Sequence, residues 1–178
     1  EPPVKIAARS AQAPASPIRR LIPYSDAAKA RGVQVYHLNI GQPDIETPAA
    51  MLDSVRNSRL KVVAYAPSQG NLEYREAWVR YYAGHGISLT TDQVMVTTAG
   101  SEAITFAMAV TLDPGDEILI PEPLYANYLG FAALLGVHVV PITCRVEDGY
   151  HLPPREAFEA RITPRTRAIL FCNPGNPT

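Results

Sequence analysis

The residues with the clearest chemical potential are Ala99-Gly100-Ser101-Glu102, set between a β-branched run and an apolar helical pattern. Val94-Met95-Val96-Thr97-Thr98 reads as a strand, and Ala103-Ile104-Thr105-Phe106-Ala107-Met108-Ala109 continues as a helix. The first N–H groups of a helix have no carbonyl partner inside it, and the aligned peptide dipoles place about half a positive charge there. Such a terminus suits a phosphate. Gly100 lets the backbone approach an anion closely and Ser101 can add a hydroxyl donor. Glu102 suits the dipole and supports the helix more than the ligand. A glycine between strand and helix also serves packing alone. Neither the Walker A spacing nor the Gly-x-Gly-x-x-Gly fingerprint is present, which removes the main support for a nucleotide.

The surrounding elements must place that turn. Residues Glu1 to Ala15, rich in proline and alanine, read as an extended arm, either disordered or laid on a partner. Ser16-Pro17 looks like an N-cap followed by proline at the first helical position. The helix then runs to Gly32, with a kink or a late start at Pro23. Val35-Tyr36-His37-Leu38 reads as a short strand before the loop Asn39 to Asp44, and helices follow over Pro48–Arg56 and Leu72–Ala83. From Val94 the chain alternates. Strands Val94–Thr98, Glu117–Pro121, Val137–Pro141 and Arg167–Cys172 are separated by helices Ser101–Leu112, Tyr125–Leu135 and Pro154–Arg161. This spacing predicts an α/β fold with a mostly parallel sheet and helices on both faces. Ligands of such sheets sit beyond the carboxyl ends of the strands. Ala99-Gly100-Ser101, Glu122-Pro123-Leu124-Tyr125 and Asn173 to Thr178 all fall at such ends.

Composition sets the outer bounds. The chain has 178 residues, a formal net charge of -1 and 47% hydrophobic residues. That charge gives no electrostatic case for nucleic acid or an anionic membrane, and no apolar run reaches the ~18 residues that span a bilayer. Cys144 and Cys172 fit a reduced, cytoplasmic protein, and the four histidines lack zinc-type spacing. A chain of this length is expected to bury about 70% of its unfolded surface.

The order of the segments resembles the front part of a fold-type I, pyridoxal-phosphate-dependent aminotransferase of class I/II. The matching text is Leu38-Asn39-Ile40-Gly41-Gln42-Pro43-Asp44, Tyr65 with Gly70-Asn71-Leu72 and Arg75, and Thr98-Ala99-Gly100-Ser101-Glu102-Ala103. It continues with Asp113-Pro114-Gly115-Asp116, Pro121-Glu122-Pro123-Leu124-Tyr125-Ala126-Asn127-Tyr128 and Asn173-Pro174-Gly175-Asn176-Pro177-Thr178. The resemblance implies pyridoxal 5'-phosphate as cofactor, with Gly100, Ser101 and Glu102 as its phosphate turn. It implies that Tyr125 stacks on the pyridine ring and that the Asn176 amide donates to the phenolic oxygen. Tyr65 would reach the phosphate of a neighbouring subunit, making a homodimer with a shared site, and Gly41 would approach the substrate carboxylate. A packing tyrosine at 125, a core tyrosine at 65, a packing glycine at 41 and a turn-shaping asparagine at 176 are the structural alternatives. The bonds before Pro123, Pro174 and Pro177 are positions for a cis peptide. The resemblance divides the chain into 1–45, an arm, helix and small-domain loop, and 46–178, the first part of the large cofactor-binding domain.

The implied reaction moves an amino group between an amino acid and a 2-oxo acid. It needs a lysine that holds the cofactor as a Schiff base and carries a proton. The lysines here are Lys5, Lys29 and Lys61, and none matches that position. No catalytic residue is therefore assigned within 1–178, and the chain reads as a truncation that alone does not transaminate. The thiol of Cys172, at the end of a strand expected to be buried, reads as inert packing rather than as a substitute nucleophile. Rival readings are another reaction on the same scaffold, such as a carbon–sulfur lyase or a cyclopropane-forming synthase, and a non-catalytic binding or dimerisation fragment.

Overall fold

The structure is a computed structural model, and it describes residues 4–11, 16, 19–39 and 41–178. Pro17, Ile18, Ile40 and much of the arm lie outside the described residues, with the expectations placed on them. The helices are α1 (Ile22–Ala30), α2 (Ala49–Arg56), α3 (Leu72–Ala83), α4 (Gly100–Thr111), α5 (Asn127–Leu135) and α6 (Arg155–Glu159). The strands are β1 (Glu117–Glu122), β2 (His138–Thr143) and β3 (Thr166–Ile169). The chain forms two units, one made of 101–178 with the described residues up to His37, the other of 38–100.

In the first unit the three strands form a parallel sheet in the order β2-β1-β3. Its central strand carries Ile118-Leu119-Ile120, three consecutive apolar residues that are all buried. A strand covered on both faces reads as a continuous apolar run because successive side chains point to opposite sides. Ile118 and Ile120 pack with Met108 of α4 and Leu112 just after it, with Tyr128 and Ala132 of α5, and with Val137. Each such side chain contributes roughly 1.5–3 kcal/mol by leaving water. α5 stops at Gly136, whose φ of 73° is the left-handed helix-ending conformation.

Glu117, at the start of β1, is 5% exposed and sits in a polar clamp. Thr163 Oγ1 donates to its Oε2 at 2.6 Å, and Arg165 Nε and Nη2 donate to Oε1 at 2.9 and 2.5 Å. The clamp lies where the β1–β3 register shifts, Glu117 pairing with Thr166 and Ile118 with Ala168. These bonds, the Thr163 hydroxyl foremost and the Arg165 guanidinium next, hold the Glu117 carboxyl below its ordinary pKa. A carboxylate with a lowered folded-state pKa stabilises the fold above its unfolded value, and that stability is lost as the pH falls through the folded one. Glu117→Gln will therefore melt below the native protein at neutral pH. The gap stays full above about pH 4.3, the ordinary glutamate value, and closes at lower pH. A gap that does not vary with pH would contradict this assignment.

Two expectations change. Val94–Thr98 and Val35–Leu38 are not strands. A strand is defined by its ladder, and the sheet among the described residues consists of β1, β2 and β3 alone; segment 94–98 is tied instead by Val96 N–H donating to Gln69 O at 2.9 Å. The described part of the arm is not wholly extended. Ala8–Ala11 forms a 3-10 turn that packs on α5, and Ser10 Oγ donates to Ala7 O at 2.6 Å.

The N-terminal helix starts late, as Pro23 predicts. Arg19 N–H donates to Ser16 Oγ at 3.4 Å, a 3-10 turn spans Arg19–Leu21, and α1 begins at Ile22 with the proline in its first turn.

Candidate cofactor site

α4 begins at Gly100, so Gly100, Ser101 and Glu102 form its first turn, where the helix supplies N–H donors without internal partners. Thr97 Oγ1 donates to Ala99 O at 3.1 Å and shapes the approach, while Thr105 Oγ1 donates to Ser101 O at 2.8 Å. A Cβ built on Gly100 meets no atom within 4 Å. Packing within the chain therefore gives no reason for glycine at this turn. Gly100 and Ser101 are exposed.

The carboxyl end of the sheet opens on a cavity of about 610 Å³, a size suited to a small-molecule site. Its wall includes Glu122, the last residue of β1, with Pro123 and Leu124 after it, Tyr128 of α5, Cys172, and Asn176 of the terminal motif. Two of the three segments expected to converge thus share one cavity. Ala99, Gly100, Ser101 and Tyr125 do not line it. All three X-Pro bonds singled out in the sequence, before Pro123, Pro174 and Pro177, are cis.

Tyr125 is half-buried against the core cluster, with its ring 5.4 Å from that of Tyr128 at 84°. Asn127 Nδ2 donates to its hydroxyl oxygen at 2.7 Å. Tyr128 is buried and its phenol pKa is raised, first by burial and then by the neighbouring Cys172 thiol. Glu122 accepts from Thr143 Oγ1 at 2.8 Å, which pins the end of β1 to β2. Burial and the Glu122 carboxylate push the Cys144 thiol up, so that thiol stays protonated at neutral pH. Cys172 departs from expectation. β3 ends at Ile169, and the thiol is exposed on the cavity wall, donating to Pro174 O at 3.3 Å.

In the second unit, Tyr65 is 106% exposed within this chain. Gly41 is exposed and a Cβ there meets nothing within 4 Å. Sequence reasoning gave no role to Arg75, a guanidinium only 9% exposed, or to Tyr128.

The family model for aminotransferase class I and II matches residues 33–178. An aspartate/prephenate aminotransferase of Cereibacter sphaeroides is 36% identical over 154 residues, covering 84% of this chain and 38% of that protein. The Thermus thermophilus enzyme of the same name is 33% identical over 150 residues, covering 83% and 39%. Among solved structures, an aspartate aminotransferase from Rhizobium meliloti superposes with a TM-score of 0.87 at 30% identity, over 98% of this chain and 44% of that one. An alanine aminotransferase from Pyrococcus furiosus gives 0.87 at 32%, over 98% and 45%. The chain thus spans about two-fifths of the length of the curated relatives it matches. No helix among the described residues is long and apolar enough to cross a membrane. With its fold and its sequence relatives in agreement, the chain belongs to the pyridoxal-phosphate-dependent aminotransferases of class I and II.

Proposed function

We propose that residues 1–178 are the part of an aminotransferase that holds the phosphate and ring of pyridoxal phosphate, the covalent lysine lying outside them. The observation that carries this reading is the start of α4, where Gly100 leaves space a Cβ would enter and Ser101 is exposed beside the first-turn N–H groups. These donors suit a phosphate dianion, which a helix N-terminus favours by about 0.3–2 kcal/mol. Tyr125 offers a ring for stacking on the pyridine, and Asn176 carries an amide donor for the phenolic oxygen. Glu102 keeps its part in the turn through the helix dipole. Gly41 is the backbone contact for the substrate carboxylate.

When bound, the cofactor supplies the electron sink that lets an amino group pass between two carbon skeletons. The side chains of this chain bind and orient it. The substrate pair is an amino acid and a 2-oxo acid. Because relatives are named for aspartate and prephenate, aspartate is the first amino donor to test.

Tyr65, with its neighbours Leu60, Val62 and Val63, presents a run of exposed large side chains, at 106%, 76%, 74% and 92% exposure. Contiguous exposed apolar surface marks an interaction site. The occupant is a second copy, with Tyr65 reaching the other subunit's phosphate, in a cytoplasmic homodimer. Residues 1–45 belong with the small domain and 46–178 with the large one.

The test supplies the full-length protein with aspartate and a 2-oxo acid and follows the new amino acid. Transfer that regenerates the aldehyde cofactor supports the reading. Release of ammonia or sulfide without dependence on the 2-oxo acid assigns the scaffold to a lyase instead.

A further inference from the structure

Arg75 is 9% exposed, and among the described residues no carboxylate lies within ion-pair distance of it. Burying a guanidinium without a counter-ion is costly, and an apolar side chain fills a buried helix position more cheaply. What arginine adds is reach in two directions. Its Nε donates to Gly70 O at 3.3 Å and its Nη1 donates to Thr91 O at 2.8 Å. One rigid fork thereby joins the turn before α3 to the 3-10 turn Thr91–Gln93. A lysine ammonium, a single point on a flexible stem, does not span two carbonyls in this way.

Both joined turns lead to the phosphate site. Gly70 N–H donates to Pro67 O at 2.8 Å, closing the turn that follows Tyr65. The same turn is bonded by Val96 N–H to Gln69 O at 2.9 Å, and Gly70 rests on the Val96 side chain so closely that a Cβ would overlap it. Val96 lies on the segment that runs from Thr91–Gln93 into Gly100. The Tyr65 turn and the segment delivering the phosphate turn are thus fastened to each other at two points, and Arg75 closes the loop between them.

We propose that Arg75 is a positioning residue for the cofactor phosphate, acting through this clamp on Tyr65 and on the approach to Gly100. The inference rests on the phosphate roles assigned to those two residues above. In a two-fold dimer each site takes its phosphate turn from one subunit and Tyr65 from the other. A fixed spacing between the two elements within one subunit then forms both sites correctly.

The test uses the holoenzyme and Arg75→Lys, which keeps the charge and loses the fork. Titration with pyridoxal phosphate should show a cofactor Kd raised about tenfold, the scale of one charged hydrogen bond. The substrate KM at saturating cofactor should move far less. Amide exchange in the cofactor-free protein should quicken at Gly70 and Val96. Tyr65→Phe combined with Arg75→Lys should weaken cofactor binding by clearly less than the product of the two single effects, because part of the Arg75 effect acts through Tyr65. A purely structural arginine would lower the melting temperature and leave the cofactor Kd and those two amides unchanged, which overturns the proposal. Losses that multiply in the double variant also overturn it. If Arg75→Lys yields no folded protein, Arg75→Gln, which can reach one carbonyl only, is judged by the same criteria. Failure of the unmodified protein to bind cofactor would overturn the aminotransferase reading itself, and this inference with it. Binding with an unchanged Kd in the variants sinks only the role of Arg75.

Discussion

Gly100→Asp will weaken pyridoxal phosphate binding by about 100-fold, equivalent to roughly 3 kcal/mol, while the protein stays folded. The substitution places a carboxylate where the phosphate is proposed to sit, so repulsion replaces attraction. Stability is not the vulnerable quantity. A Cβ at this position meets nothing within 4 Å, so the new side chain has room. An aspartate in the first turn of a helix is itself favourable, by about 0.3–1 kcal/mol. Cofactor titration alongside thermal melting separates the two effects. Gly100→Ala, which adds bulk without charge, should fall between the native protein and Gly100→Asp. Unchanged cofactor affinity in Gly100→Asp would show that the phosphate is held elsewhere.

Gly70→Ala should have the opposite character, a large loss of stability. Gly70 has a φ of 94°, a conformation that side-chain-bearing residues rarely adopt, and its added Cβ would overlap Val96. Backbone strain of about 1 kcal/mol and overpacking of about 1–3 kcal/mol act together, for a total of about 2–4 kcal/mol. Denaturant melts of the single variant measure the sum. Adding Val96→Ala removes the steric part and leaves the backbone part, so the double variant should recover some of the loss. A double variant less stable than the sum of both singles would contradict the contact.

These two glycines show what could be read from the residues and what could not. A glycine between a β-branched run and an apolar helical pattern is a local signal, and α4 does begin at Gly100. The terminal Asn173 to Thr178 motif and the Glu122–Leu124 turn likewise fall at strand ends, and they share a cavity. Segment 94–98 has the strand pattern and lacks the strand, because pairing depends on a neighbour that the pattern cannot supply. Leu38, in the other missing strand, is 95% exposed for the same reason. Cys172 looked like the buried end of a strand. The ladder stops at Ile169 instead, and the thiol faces the cavity. The role of Gly70 depends on Val96, and that of Arg75 on Thr91, contacts distant in sequence that no local pattern encodes.

Val62, Val63 and Tyr65, in the second unit, are exposed among the described residues. Such side chains fit the proposed subunit interface better than a core of their own.

The most direct measurement on the central claim is peptide-mapped mass spectrometry of the full-length protein, incubated with pyridoxal phosphate and reduced with borohydride. The account predicts one stoichiometric adduct, on a lysine other than Lys5, Lys29 or Lys61. A stoichiometric adduct on any of those three, or no adduct at all, would contradict it.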